Sequence, residues 1–147
     1  MVEVLPFPDD PTELAAWLGK HGADRLPGLL GIEIVRLEPG RCELRLDVDR
    51  RHLASNGYLH ASSVVALADS ACGYGCVASL PEGGVGFTTI ELKTNFLGTL
   101  LEGGMRTEAT MAHGGRTTQV WDATVTAEAT GRTLALFRCT QLILAAR

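Results

Sequence analysis

The chain of 147 residues is long enough for one domain that buries about two-thirds of its unfolded surface. Its formal net charge of −4 argues against a general nucleic-acid binder or a binder of anionic membranes, because both would repel the chain on average. The N-terminus MVEVLPFPDD has neither the basic nor the apolar region of a signal peptide, so we expect a cytoplasmic protein.

The first half of the sequence predicts a short helix followed by a hairpin. The stretch DDPTELAAWLGKHG begins with Asp and Pro, carries an apolar stripe and stops near Gly22, which is typical of an amphipathic helix. The stretch GIEIVRLEPGRCELRLDVD alternates between apolar and polar residues on both sides of Pro39-Gly40, which predicts two strands joined by a tight turn. We treat residues 1–25 as a helical extension of a single domain, 1–147.

The second half predicts a long helix and then four strands. The helix runs from about His60 to Ser79, and four alternating segments follow it, separated by Gly103-Gly104, Gly114-Gly115 and Gly131-Arg132. Read as a four-strand meander, these segments predict a curved antiparallel sheet wrapped around the long helix, an α+β arrangement. Polar residues and glycines interrupt the apolar part of the helix, so it does not predict a membrane span.

The four cysteines do not predict disulfides or a metal site. Their spacing follows no disulfide framework, and we expect reduced, buried thiols. Cys72 and Cys76 share one helix face, but two sulfurs without further ligands do not make a zinc site. The cysteines are Cys42, Cys72, Cys76 and Cys139.

The long helix carries one carboxylate, Asp69. At 100° per residue, Asp69 falls just past the edge of the apolar arc and shares a narrow stripe with Ser62, Ala66 and Gly73. Small side chains allow another backbone or a slim ligand to approach closely. The stripe therefore predicts the packing surface for the helix of a second subunit, either with Asp69 at a hydrated rim or with Asp69 facing a pocket between subunits.

The start of the same helix offers hydrogen-bond donors. The amides of Ala61 and Ser62 are placed to stabilise a developing oxyanion, because the N-terminus of a helix has unpaired N–H groups. Asp69 lies about 12 Å further along by the helical rise, too far for both groups of one chain to act on the same carbon. Antiparallel packing of two such helices would bring Asp69 of one subunit near the helix start of the other, so the sequence favours a site shared across a dimer.

These motifs resemble a known family. GYLHASSVVALADSA, TTIELKTNFLGTLLEGG and GRTLALFRCTQLIL together resemble the hotdog-fold acyl-CoA thioesterases of the phenylacetate-degradation (PaaI-like) group, over residues 30–145. The pattern combines Gly57 and His60 with Ala61 and an acid, Asp69, eight positions later. The resemblance implies a hotdog fold, hydrolysis of acyl-CoA by a homodimer or homotetramer, and no metal or cofactor beyond the CoA of the substrate.

The resemblance also implies roles for individual residues. Asp69 matches the catalytic carboxylate, acting as general base or as nucleophile, and the N–H of Ala61 matches the donor that polarises the thioester carbonyl. His60 matches the histidine that supports the loop, and Thr89 matches a hydroxyl that positions water in some members. Gly115 and Arg116 lie where members contact the CoA nucleotide or phosphates.

Two positions depart from the family pattern. The usual His-Gly-Gly is His60-Ala61-Ser62 here, which we expect to alter the shape of the pocket more than the mechanism, since Ala keeps its N–H. Many members carry Asn or Gln fifteen residues before the acid, where it helps to orient the water or the thioester. This chain has Ala54 at that position, and Asn56, two residues on, is the candidate to take its place in the site.

Two other functions remain open. A non-catalytic acyl-CoA binding protein would tolerate Ala54, whereas a hotdog hydratase or dehydratase would be expected to show a His-Phe-Pro-Gly or His-x-Asp pattern, which is absent from the sequence.

We expect His52, in the run Arg50-Arg51-His52, to be solvated at the surface.

Overall fold

The computed structural model describes residues 4–146, and within them the chain forms three α-helices and six β-strands. The helices are α1 (Pro11–Gly22), α2 (Leu26–Leu29) and α3 (Ala61–Val77), and a 3-10 turn (Arg50–His52) precedes α3. The strands are β1 (Glu33–Glu38), β2 (Arg41–Val48), β3 (Gly84–Phe96), β4 (Gly103–Gly114), β5 (Thr118–Ala127) and β6 (Thr133–Ala145). The predicted elements are therefore all present, in the predicted order.

The strands form one antiparallel sheet in the order β1-β2-β4-β5-β6-β3. The predicted four-strand meander is wrong, because β3 pairs with β6 at the far edge and not with β4. Gly103-Gly104 is not a turn between neighbouring strands but the start of β4, paired with Asp47 and Val48 of β2. Alternation reports which face a side chain occupies, not which strand lies beside it, and the six residues 97–102 are long enough to carry the chain across the sheet.

The core lies between α3 and the concave face of the sheet. Helix α3 is apolar around most of its circumference because it packs against strands from both halves of the sheet. This arrangement confirms the predicted hotdog fold, a long helix wrapped by a curved antiparallel sheet. The fully buried side chains of this core include Leu44, Leu46, Leu67, Ala71, Cys72, Met105, Trp121, Val125 and Cys139.

His52 belongs to the interior, so the prediction of a solvated surface position is wrong. Its ring is fully buried: Nδ1 accepts the Asp49 N–H at 2.9 Å, and Nε2 donates to the Leu30 carbonyl at 2.7 Å. Its own carbonyl accepts the His60 N–H and the Ser63 hydroxyl. His52 thereby ties α2 and the 3-10 turn to the start of α3, an arrangement that the basic run around it conceals.

The four cysteines are free and buried, as predicted. Burial raises the pKa of Cys42 and of Cys76 to about 12, so these thiols stay neutral at physiological pH. No helix in the described part of the chain is both long and apolar enough to cross a membrane.

Candidate active site

Asp69 is a half-buried carboxylate in the middle of α3, opposite the inner face of β3. Its Oδ1 lies 3.4 Å from the Thr89 hydroxyl. Burial raises the pKa of Asp69 above its ordinary value, and the hydrogen bond from Thr89 offsets part of this effect. The sequence predicts both residues, and the structure brings them into contact.

Asp69 differs electrostatically from the carboxylates on the outer face of the sheet. Several of those carboxylates are paired with arginines, as Asp122 is with Arg138 at 2.6 Å and Glu43 with Arg106 at 3.0 Å. Within residues 4–146, Asp69 has no cation within ion-pairing distance. A carboxylate that is partly desolvated and unpaired is a stronger base than a solvated one, which suits it to accept a proton.

Gln141 is a further residue of the candidate site, which the sequence motifs do not predict. Its side chain is fully buried, and its Oε1 lies 2.8 Å from the Thr89 hydroxyl, closer than Asp69 does. Its Nε2 contacts the Cys139 sulfur at 3.3 Å. The signal was available, because alternation along β6 places a glutamine on the inward face between Cys139 and Ile143, and a polar group at such a position needs a hydrogen-bonding partner.

The start of α3 leaves one backbone donor free. His60 is the N-cap, and its Nδ1 accepts the Ser62 N–H at 3.0 Å, while its carbonyl accepts the Ser63 N–H. The Ser62 amide is therefore already paired and does not serve as an oxyanion donor, contrary to the expectation. In the described chain the Ala61 N–H has no acceptor, and Ala61 is exposed. His60 thus supports the helix start, and Ala61 presents the donor.

Asn56 and Gly57 form the turn that leads into this helix. Gly57 has a φ of +84°, a conformation that other residues rarely adopt. The Asn56 Oδ1 accepts the Tyr58 N–H at 3.2 Å, and Ala54 closes the turn through its backbone bonds with Gly57 and Tyr58. Among the described contacts, none joins Asn56 to Asp69 of the same chain.

Gly115 and Arg116 lie in the connection between β4 and β5, at the end of the sheet that carries Gln141. The Gly115 N–H donates to the Thr118 carbonyl at 2.9 Å, and a Cβ at Gly115 would lie 2.9 Å from that oxygen, so a larger residue would force the turn open. Arg116 is exposed. The structure does not bring these two residues into contact with Asp69.

The small-residue stripe on α3 is occupied in part by the chain itself. Ser62 is exposed and Ala66 is half-buried beside Asp69, but Gly73 is buried under the ring of Phe87. A Cβ at Gly73 would lie 2.8 Å from the Phe87 Cζ. The part of the stripe that remains open for a second helix therefore runs from Ser62 to Asp69.

The sequence matches the model of the thioesterase superfamily over residues 56–134, a range that contains Gly57, His60, Ala61, Asp69 and Thr89. The chain belongs to the thioesterase superfamily. This membership supports hydrolysis of a thioester as its activity, on the fold described above.

Known relatives agree with this assignment. The chain is 34% identical over 111 residues to a 1,4-dihydroxy-2-naphthoyl-CoA hydrolase from Listeria monocytogenes, covering 76% of this chain and 89% of that protein. A solved thioesterase family protein from Silicibacter pomeroyi is 34% identical over 90% of this chain and 99% of its own, with a TM-score of 0.76. A variant of a thioesterase from Pseudomonas aeruginosa superposes with a TM-score of 0.84 at 24% identity, over 98% of this chain and all of that one, which shows the fold alone.

Proposed function

We propose that the protein hydrolyses acyl-CoA thioesters to free CoA and a carboxylic acid, with Asp69 as the catalytic carboxylate. The observation that carries the proposal is Asp69 itself, a half-buried and unpaired carboxylate whose pKa is raised by burial and whose described partner is the Thr89 hydroxyl. The relative from Listeria, named as the hydrolase of an aryl-CoA thioester, supports a CoA ester as the substrate.

The chemistry needs one base and one oxyanion donor. Asp69 acts as general base, taking a proton from water while the water oxygen bonds to the thioester carbonyl carbon. Alternatively, Asp69 attacks that carbon as a nucleophile, the C–S bond breaks to release the thiolate, and water then hydrolyses the acyl–Asp69 anhydride to the carboxylic acid and free Asp69. In the first case the carbonyl becomes an oxyanion, the C–S bond then breaks, and the thiolate leaves with the proton that Asp69 carried. The Ala61 N–H stabilises the oxyanion.

The two groups must come from different chains. Asp69 lies about 12 Å from Ala61 along one straight helix, so a homodimer with antiparallel α3 helices supplies one group from each subunit. The open stripe from Ser62 to Asp69 is consistent with this packing. A homotetramer would be a further assembly of such dimers and adds nothing that the reaction requires. Gly115 and Arg116 are proposed to contact the CoA nucleotide.

The test is the release of CoA by Asp69→Ala. We expect the rate of thiol release from a panel of aryl-CoA and C2 to C16 acyl-CoA esters to fall by roughly 10²- to 10⁴-fold, because the group that moves the proton is gone. Asp122→Ala removes a carboxylate from the outer face of the sheet and is the matched control, with wild-type turnover expected.

Two results would overturn the proposal. Turnover by Asp69→Ala at the wild-type rate, in a folded protein, would show that Asp69 is not the base. Affinity of the wild-type protein for CoA esters without hydrolysis of any of them would favour the non-catalytic binding protein that Ala54 allows.

A further inference from the structure

The hydroxyl of Thr89 has one proton and two oxygen neighbours that accept hydrogen bonds. Its Oγ1 lies 2.8 Å from the Gln141 Oε1 and 3.4 Å from the Asp69 Oδ1. A threonine hydroxyl donates one hydrogen bond, and the usual length of an O–H···O bond is about 2.8 Å, so the contact with Asp69 is long. Gln141 therefore competes with Asp69 for the Thr89 proton and holds the greater share of it.

The two distances are the reverse of what the charges of the acceptors alone would produce. A hydroxyl forms a shorter and stronger hydrogen bond with an ionised carboxylate than with a neutral amide. The competition is decided instead by the fixed position of the Gln141 side chain, which is fully buried. Its Nε2 contacts the Cys139 sulfur at 3.3 Å, and this contact leaves Oε1 directed at Thr89.

The backbone of the sheet sets the position of both partners. Thr89 of β3 lies directly opposite Gln141 of β6, and the register shifts between Thr89 and Glu91, which indicates a β-bulge. Directly opposed residues of an antiparallel pair bring their side chains together on one face of the sheet, and bulges redirect side chains beside active sites. The contact between Thr89 and Gln141 is thus built into the sheet.

Within residues 4–146, no cation and no second carboxylate shifts the pKa of Asp69. The titratable groups packed near it are the buried thiols of Cys72 on α3 and Cys139 on β6. The pKa of Cys72 is raised by its hydrogen bond with Cys139, by burial and, to a smaller extent, by the charge of Asp69, so Cys72 stays neutral at pH 7. The Thr89 hydroxyl is therefore the described group whose orientation can change the basicity of Asp69.

We propose, on the basis of the proposed function, that Gln141 is a positioning residue for the catalytic base, because its Oε1 draws the Thr89 proton away from Asp69. Asp69 then meets the attacking water as a carboxylate with little hydrogen-bond stabilisation, which makes it a stronger base. Once Asp69 has taken the proton from water, its new O–H donates to the free lone pair of the Thr89 oxygen. Gln141 thereby favours the protonated form of Asp69 without touching the substrate.

The test is the titration of Asp69 in wild type and in Gln141→Met, followed by NMR of protein labelled at its aspartate carboxyl carbons. The loss of one signal in Asp69→Asn assigns the resonance. Methionine has nearly the length of glutamine but no strong acceptor, so the Thr89 proton turns to Asp69. We expect the acid dissociation constant of Asp69 to rise roughly 3- to 10-fold, since a full hydrogen bond to a charged group changes an equilibrium about 10-fold or more.

The pH profile of thioester hydrolysis gives a second readout. The acid limb of kcat/KM reports the pKa of the base in the free enzyme, so in Gln141→Met it is expected to move to lower pH by the same factor. The plateau of kcat/KM above this limb is expected to fall, because Asp69 is then a weaker base.

Gln119→Met is the matched control for the loss of a buried amide. Gln119 lies opposite Gln141 in the sheet and is also buried, but its amide bonds the Ser79 carbonyl and the Trp121 indole N–H. The substitution is expected to lower the stability of the protein and to leave the titration of Asp69 unchanged.

Thr89→Val removes the hydroxyl through which Gln141 acts. In the Thr89→Val background, Gln141→Met is therefore expected to have no further effect on the titration of Asp69. If Gln141→Met does not fold, Gln141→Asn withdraws the amide oxygen by one methylene and is expected to show a smaller shift in the same direction as the one expected of Gln141→Met.

The outcomes for this proposal and for the proposed function are distinct. If the acid dissociation constant of Asp69 rises in Gln141→Met but neither protein hydrolyses any thioester, the control of Asp69 by Gln141 stands and the enzyme assignment fails. An unchanged or smaller constant in Gln141→Met would overturn the proposal, because Thr89 would then already donate to Asp69 in wild type. Loss of turnover in Gln141→Met with the acid limb at its wild-type pH would overturn it too, since Gln141 would then act on the structure alone.

Discussion

The carboxylate of Asp69, the proposed catalytic group, lowers the stability of the fold. Because burial raises its pKa, the folded protein binds the proton of Asp69 more tightly than the unfolded chain does. The stability of the fold therefore falls as the pH rises from the ordinary pKa of an aspartate, about 4, through the raised value in the folded protein. Above that pH Asp69 is fully ionised, and the loss of stability from its buried charge no longer increases.

Asp69→Asn is expected to make the protein more stable at pH 7, because the amide does not ionise. The difference in the free energy of unfolding is expected to shrink as the pH falls and to disappear below the ordinary pKa of aspartate, about 4. Urea unfolding of both proteins between pH 3 and pH 8 measures it. A variant less stable than wild type at pH 7 would contradict the account of Asp69 as a destabilising charge.

Asp122→Asn is a control for which we expect the opposite change in stability at pH 7. The hydrogen bond from Arg138 lowers the pKa of Asp122, so the stability from this pair is present above the ordinary pKa of aspartate and is lost as the pH falls through the lowered value. The variant should be slightly less stable than wild type at pH 7, since an exposed pair contributes at most about 1 kcal/mol, and should converge with wild type in acid.

At the scale of the element, α3 contains two interior glycines, although glycine has a low helix propensity. Gly73 lies under Phe87 and Gly75 under Trp121, with a Cβ at Gly75 placed 2.6 Å from the Trp121 ring. Each glycine costs about 1 kcal/mol relative to alanine in a helix interior. The close approach of these two rings to the helix backbone accounts for both positions.

Gly75→Ala is therefore expected to destabilise the protein by about 1–3 kcal/mol, the range for overpacking a core, despite the better helix propensity of alanine. Gly19→Ala is the matched control in α1, where nothing lies within 4 Å of the new methyl, and it is expected to stabilise by about 0.5–1 kcal/mol. Chemical denaturation measures both changes. Equal effects of the two substitutions would mean that Trp121 does not restrict α3.

At the scale of the whole molecule, the two edges of the sheet differ. Edge strand β1 has six residues and carries Glu33, Arg36 and Glu38, whereas edge strand β3 has thirteen residues and exposes Ile90, Leu92 and Phe96. Long apolar edges invite pairing with another chain, and short charged edges discourage it. Thr89 of this open edge strand contacts Asp69, so the exposed edge and the proposed shared site lie on the same side of the molecule.

The proposed site, shared across a dimer, predicts complementation between two inactive variants. Asp69→Ala lacks the base, and Ala61→Pro lacks the donor N–H; proline fits this first helical position because His60 already has the extended φ of −68° and ψ of 131°. Mixing equal amounts through an unfolding and refolding cycle is expected to restore about a quarter of wild-type activity, since half of the dimers are mixed and each has one intact site. No restoration, from variants that refold and dimerise, would contradict a site built from two chains.

Part of the site was predictable from the chain and part was not. Gly57, His60, Ala61 and Asp69 lie within one turn and one helix, so local backbone geometry determines their arrangement from their spacing in the sequence. Gln141 is 52 residues from Thr89 along the chain, and the two meet only because β3 crosses the sheet to pair with β6. The alternation of residues in β3 does not show this crossing, so the sequence predicted a meander.

The sequence by itself determined which segments are helix and strand, which faces are apolar and which carboxylate the long helix carries, because these depend on the local periods of backbone geometry. The tertiary structure decided the strand order, the burial of His52, the contact of Thr89 with Gln141 and the packing of Phe87 on Gly73. These depend on contacts between residues far apart in the chain, which neither composition nor period encodes.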